Sequence, residues 1–171
     1  TVLIDRQMFK YITETRGTIL TQGGELDGPE VTDITATDAS NAVGIAISEL
    51  ADADIFNTLA ALSRPADPTS TGNNYTTSYR IGASTWGWEE EDLPLHASGA
   101  GYIEYDNGTG MSAADASKYV NSYIVFTNYQ GKAKHVILPG QDQFDTLDEA
   151  IEENPANFDL TGVDSPNYVI G

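Results

Sequence analysis

The residues best suited to chemistry in this chain are an acidic run and the histidine that follows it. Glu89 to Asp92 is a run of four acids shortly before His96, and carboxylates beside an imidazole can bind a divalent cation or form an acid–base pair. Such a run is, however, typical of a solvated surface. The other histidine, His135, lies in a predicted strand, where a structural role is expected. Because the chain has two histidines and no cysteine, a histidine-rich or thiolate zinc site is not expected.

Two other sets of side-chain oxygens could attract a hard cation such as calcium. The first set comprises Glu104, Asp106 and Asn107, and the second comprises Asp142, Asp145, Asp148 and Glu149. Neither set has the Asp-x-Asp-x-Asp-Gly spacing of a calcium loop. Acids are also favoured at a helix N-terminus, which explains the second set without a metal. We therefore expect no cofactor, with calcium at Asp142 and Asp145 as the open alternative.

The catalytic motifs that can be recognised in a sequence are missing from this one. It contains no nucleophile elbow, no phosphate-binding loop and no dinucleotide fingerprint. A hydrolase would have to use Glu89 to Asp92 with His96 or a pair of carboxylates, and glycosidases need two carboxyl groups at a defined separation. No nucleophile, base and oxyanion-binding set can be assembled from the sequence. We therefore expect a protein that is not an enzyme.

Aromatic residues are the remaining binding candidates. Trp86 and Trp88 flank a glycine in what the sequence predicts to be a loop, and Tyr102 and Tyr105 follow. Exposed indole and phenol rings could stack on sugars or fill a pocket of a partner protein. The competing interpretation is that Trp86 and Trp88 lie on one face of a strand and fill the core beneath it.

Charge and hydropathy exclude some classes of partner. The chain has 171 residues with 26 acids against 8 bases, a net charge of −18, so a nucleic-acid backbone would be repelled. The acidity is typical of an abundant soluble protein or of one from a high-salt source. No run approaches the roughly 18–20 apolar residues of a membrane span, and the segment 1–20 lacks the order of a signal peptide. We expect no membrane insertion and no secretory leader.

The elements that must position these residues are mostly strands. Residues 119–128 and 135–138 are rich in β-branched and aromatic residues and predict two strands, and Thr146 to Glu149 has the spacing of a helix-capping box. Further strands are predicted near residues 43–47, 75–81 and 101–105, with helical segments over 52–63 and 112–115. The predicted fold class is mainly β with a few short helices, as an antiparallel sandwich or barrel in up to two lobes.

The proposed lobes are separated by a segment rich in Pro, Ser, Thr, Gly and Asn. Residues 1–64 form the predicted N-terminal α+β or β lobe, residues 65–74 the linker, and residues 75–171 the β-rich C-terminal lobe.

Residues 119–158 resemble modules of bacteriophage tail-fibre and virion-appendage proteins. The resemblance lies in the strand Tyr119–Asn128, the strand and turn Val136–Gln141, and the helix that begins at Thr146-Leu147. It implies a virion structural part, often homotrimeric, without catalytic residues. The strong acidity and the missing fibrous repeat favour a spike, head fibre or capsid decoration module over a long shaft.

Together these observations predict a non-catalytic virion structural protein, made in the host cytoplasm, that binds itself and other virion proteins. A carbohydrate-binding module or adhesin that recognises a host-surface glycan through Trp86, Trp88, Tyr102 and Tyr105 is the alternative. A glycoside hydrolase is a further, less favoured one.

Overall fold

The computed structural model describes residues 19–27, 43–52, 55–62, 75–91, 96, 102–127, 134–162 and 168–170. These residues form a mainly β fold, as predicted. Their strands are β1 (Ile19–Gly23), β2 (Leu26–Asp27), β3 (Gly44–Ile45), β4 (Ser48–Asp52), β5 (Ile55–Leu59), β6 (Tyr75–Gly82), β7 (Thr85–Glu91), β8 (Glu104–Asp106), β9 (Met111–Ala113), β10 (Ser122–Thr127), β11 (Lys134–Pro139) and β12 (Tyr168–Ile170). The helix α1 spans Leu147–Glu152, and a 3₁₀ turn spans Pro155–Asn157.

The largest sheet has five strands in the order β12-β10-β11-β6-β7. Neighbouring strands are antiparallel except β11 and β6, which run parallel with Val136 opposite Thr76. β10 and β11 form the predicted antiparallel pair, in register from Ser122 opposite Pro139 to Thr127 opposite Lys134. The antiparallel prediction is therefore confirmed, with one parallel pair in the largest sheet.

A second sheet has three antiparallel strands in the order β1-β4-β5. The predicted helix over 52–63 is wrong, because Ile55–Leu59 is a strand that makes five consecutive pairs with β4. The strand predicted over 43–47 is interrupted, since β3 ends at Ile45 and the Ile47 side chain is exposed. Residues 112–115 were expected to form a helical turn, but Met111–Ala113 pairs with β8.

The five-stranded sheet contributes apolar side chains to two clusters on its opposite faces. Phe126 packs with buried residues of the N-terminal strands, namely Val43, Ile45, Leu50 and Leu59. Its neighbour Val125 points to the other face, since side chains alternate along a strand, and packs there with Val136 and Leu138. Phe158 and Leu160 cover this second cluster from the C-terminal segment. The arrangement is sandwich-like, and in the part of the chain described here the sheets do not close into a barrel.

Contacts join the two halves that the sequence assigns to separate lobes. Phe126 lies in the same cluster as Leu50, and the Tyr75 hydroxyl is hydrogen-bonded to the backbone of Val43. The predicted linker, residues 65–74, lies outside the described residues, and the division into two lobes stays a prediction. Within the described ranges, no helix has the length and apolar character needed to cross a membrane.

Candidate functional site

The two tryptophans lie in strand β7 and not in a loop. β6 and β7 are antiparallel, with Arg80 opposite Trp86 and Ser78 opposite Trp88. Alternate residues of a strand point to the same face of a sheet, and residues directly opposite on neighbouring strands share that face. The two indoles therefore lie on the same face of the sheet as Arg80 and Ser78. The loop prediction is wrong because the Trp-Gly-Trp segment continues the extended hairpin.

Trp86 has a structural environment. Its partly buried indole packs against the cluster that contains Val125 and Leu138. The indole Nε1 donates a hydrogen bond of 3.0 Å to the backbone oxygen of Thr161, and the guanidinium carbon of Arg80 lies 5.2 Å from the ring centroid. Trp86 therefore joins β7 to the C-terminal segment.

Trp88 and Tyr102 are the aromatic candidates that reach the surface. The Trp88 side chain is 51% exposed and that of Tyr102 is 62% exposed. Tyr105 is partly buried in β8, opposite Ser112 of β9. The structure thus separates the four predicted binding residues into two exposed rings and two rings that are partly buried.

His96 lies between two carboxylates, only one of which the sequence linked to it. Its Nδ1 is 2.8 Å from Glu104 Oε2, and its Nε2 is 3.9 Å from Glu89 Oε2. The Tyr79 hydroxyl donates to the same Glu89 oxygen at 2.9 Å, and the rings of Tyr79 and His96 are 5.0 Å apart. The imidazole is therefore flanked by a carboxylate on each side. The pairing of His96 with Glu104 was missed because it depends on a backbone hydrogen bond from Glu104 N to His96 O at 2.9 Å.

Asp145 and Glu149, two of the proposed calcium ligands, are engaged in contacts within the chain. Asp145 forms an ion pair with Lys118. The Lys118 ammonium donates a hydrogen bond to the Asp145 carboxylate, and this bond raises the pKa of Lys118. Glu149 Oε2 accepts hydrogen bonds from the backbone N–H groups of Asp145 and Thr146, at 3.0 and 3.1 Å. The Asp142 side chain is exposed. Among the residues described, no three His, Asp or Glu side chains are grouped so that they could hold a metal ion.

A shallow acidic depression of about 410 Å³ lies beside α1. It is lined by Asp142, Phe144, Glu149, Glu152, Glu153, Asn154 and Asn157. Glu153 accepts hydrogen bonds from the Tyr123 hydroxyl and, at 2.6 Å, from the Asn121 amide. Burial and the hydrogen bond to Glu153 raise the pKa of Tyr123 above its usual value. Glu153 therefore fastens α1 to β10.

A buried ion-pair network was not predicted from the sequence. Arg80 Nε lies 3.3 Å from Asp106 Oδ2, and both side chains are buried. Arg80 Nη2 also donates to the backbone oxygen of Asp159 at 2.6 Å and lies 3.2 Å from its carboxylate. Hydrogen bonds from Thr161, followed by those from Arg80, lower the pKa of Asp159. The network ties β6 to the β8–β9 hairpin and to the C-terminal segment, which is a structural task.

Comparisons with known proteins return no relative. No protein-family model matches the sequence, and neither a curated protein nor a solved structure matches it significantly.

Proposed function

We propose that this chain is a virion structural protein, a capsid decoration, spike or fibre module that acts by assembly and surface attachment. One observation carries the proposal: large apolar and aromatic side chains are on the surface, while many charged groups are engaged in contacts that hold the fold. Phe56, Trp88 and Tyr102 are each more than half exposed. Contact with another macromolecule would bury such rings, which is how aromatic anchors contribute to interfaces.

The engaged polar groups support the same proposal. Arg80 is committed to Asp106 and Asp159, Lys118 to Asp145, and Glu153 to β10. Each of these contacts joins parts of the chain that are distant in sequence, so each stabilises the fold. A structural module needs no charged groups held ready in a site, so these internal contacts are compatible with the proposal.

The net charge sets the conditions for assembly. At −18, copies of the chain repel one another, and salt screens this repulsion with a Debye length of about 8 Å at physiological ionic strength. Apolar contacts are not weakened by screening. Self-association should therefore strengthen as the sodium chloride concentration rises.

The test is the mass of the wild-type protein by sedimentation velocity at low and high sodium chloride, over a range of protein concentrations. We expect a larger species that gains population with salt, and its mass tells a dimer from the trimer that the resemblance to phage appendages implies. A monomer at every salt and protein concentration, without binding to virion components, would contradict the proposal.

Glycan binding is the second candidate, and the exposure of Trp88 and Tyr102 favours it. These rings could stack on sugars of a host surface. A glycan array with wild-type protein distinguishes this function from assembly alone.

We also propose that the protein has no enzymatic turnover. The His96 cluster would carry any hydrolase activity, because it brings Glu89 and Glu104 to one imidazole. A screen with glycoside and ester substrates should show no activity. Activity abolished in a His96→Ala variant would show that this cluster is catalytic.

A further inference from the structure

Strand β5 lies at an edge of the three-stranded sheet and, as far as the described residues go, lacks the features that protect such edges. Its sequence, Ile-Phe-Asn-Thr-Leu, contains no charge, proline or glycine. Its pairing with β4 is regular over all five residues, without a bulge. In the residues that the structure describes, no strand pairs with its outer side. A straight, uncharged edge strand is a template for pairing with another chain.

The other edges of the two larger sheets each carry a protective feature. β7 ends in three consecutive glutamates. The pairing of β1 shifts register between Leu20 and Gln22, as a β-bulge does. β12 spans three residues of the described part of the chain. Charge, bulges and short length are known ways of preventing edge-to-edge association. β5 therefore differs from its counterparts in the same molecule.

A row of apolar side chains runs across the sheet to this edge. Ile19 of β1 pairs with Ala51 of β4, and Ala51 pairs with Phe56 of β5, so the three residues share one face. Ile19 is 37% exposed and Phe56 is 63% exposed, whereas Ala51 is covered between them. The next cross-strand pair toward the other end of β5 is Glu49 with Thr58, and the Glu49 carboxylate accepts a hydrogen bond from Thr21. The nearest acid on this face is thus engaged within the sheet.

We propose that β5 pairs antiparallel with β5 of a second copy of this chain. The inference rests on the proposed function, because it assigns a surface to the self-association proposed there. Two copies with a net charge of −18 each can approach closely only where the surface carries little charge, and β5 is such a place. A two-fold axis brings the same strand from both copies together, which is the commonest symmetry of protein dimers.

This pairing satisfies two requirements at once. The backbone N–H and C=O groups on the outer side of β5 gain partners, and the two sheets become one of six strands. The two Phe56 rings lie on the same face near the axis, within the range of diagonal cross-strand contacts between aromatic side chains. The contact produces dimers, so the measured mass also distinguishes it from the trimer that the resemblance implies.

The test compares Phe56→Glu with Ile151→Glu by sedimentation velocity of the full chain in high sodium chloride. Both substitutions place a negative charge at an exposed apolar position, and Ile151, on α1, is 70% exposed. We expect Phe56→Glu to raise the dissociation constant of the dimer roughly tenfold or more, and Ile151→Glu to leave it within about twofold. Hydrogen exchange should show slower exchange of β5 amides in the dimer than in the monomer. Circular dichroism checks that both variants are folded.

Three results would overturn the β5 interface. If the wild type associates and Phe56→Glu associates equally well, the contact lies elsewhere while self-assembly stands. If the wild type is monomeric at every salt concentration, both this interface and the proposed assembly function are wrong. If it is monomeric and Phe56→Glu also lowers the thermal midpoint by several degrees, another segment of the same chain covers the face.

Discussion

The hydroxyl group of Tyr75 makes two hydrogen bonds with the backbone of one residue, Val43. It donates to the Val43 oxygen at 2.6 Å and accepts from the Val43 nitrogen at 2.8 Å. Both residues are buried. Tyr75 begins β6 in the five-stranded sheet, and Val43 directly precedes β3, so a single side chain satisfies two backbone groups in the other half of the chain.

Replacing Tyr75 by Phe should destabilise the protein markedly. The substitution keeps the ring but leaves a buried N–H and a buried C=O without this partner, at a cost of about 2–4 kcal/mol in the free energy of unfolding. Urea denaturation gives this value, and the thermal midpoint should fall by roughly 5–12 °C. Tyr102→Phe is the matched control, because that ring is largely exposed. Equal stabilities of the two variants would contradict the proposed role of Tyr75.

The Arg80–Asp106 ion pair should contribute far more to the free energy of unfolding than the ion pair between Lys118 and Asp145. Arg80→Met leaves the Asp106 carboxylate buried without its counter-charge, which costs about 3–5 kcal/mol of unfolding free energy. Lys118→Met removes a solvent-exposed pair, which water and salt screen, and should therefore lower the free energy of unfolding far less. Chemical denaturation of both variants measures the difference.

A double variant distinguishes the attraction between Arg80 and Asp106 from the cost of leaving one of the two charges buried alone. Replacing both Arg80 and Asp106 by apolar residues removes the stranded charge, so the double variant should be more stable than Arg80→Met alone. If the losses of unfolding free energy in the Arg80 and Asp106 single variants add up to the loss in the double variant, the two side chains do not stabilise each other.

The stability of the fold should decrease on mild acidification because of His135. Burial lowers the pKa of this imidazole, and its Nε2 has no hydrogen-bond partner in the described part of the chain. The folded state therefore favours neutral His135, while the unfolded chain takes up a proton at about pH 6.5. The contribution of His135 to the free energy of unfolding is fully present above that pH. It is lost as the pH falls toward the lowered pKa of His135 in the folded state.

Thermal midpoints from about pH 7.5 to about pH 5.5 test this, in a window above the range in which most carboxylates titrate. His135→Leu should flatten the dependence. A His96→Gln variant shows how much of the slope belongs to the other imidazole. An unchanged slope in His135→Leu would contradict the assignment.

The sequence predicts elements best where the signals are local. β10 and β11 follow from dense β-branched and aromatic residues, and the Thr146–Glu149 capping box is present at the start of α1. The segment 52–63 predicts a helix because its apolar residues recur at helical intervals, as Ile55 and Leu59 do at a spacing of four. That spacing also places two residues on one face of a strand, so only the pairing with β4 distinguishes the two structures.

The candidate sites depend on contacts between distant residues. His96 and Glu104 were both noted in the sequence, but in separate sets, because the backbone hydrogen bond that joins them is part of the tertiary fold. Arg80 and Asp106 are 26 positions apart, and nothing local to either one indicates a buried pair. The exposure of Trp88 beside the partly buried Trp86 is set in the same way, by what covers each end of β7.

Trp86 and Trp88 should therefore respond differently to substitution by alanine. Trp86→Ala removes a ring that packs on the Val125 cluster and donates to Thr161, so we expect a loss of about 2–4 kcal/mol in unfolding free energy. Trp88→Ala removes a half-exposed ring and should cost about 1 kcal/mol or less. A stable Trp88→Ala variant can then be compared with the wild type on a glycan array. If the protein acts by assembly alone, neither binds sugars. Wild-type binding that disappears in Trp88→Ala, at unchanged stability, would instead favour the glycan-binding function and place its site on the exposed face of β7.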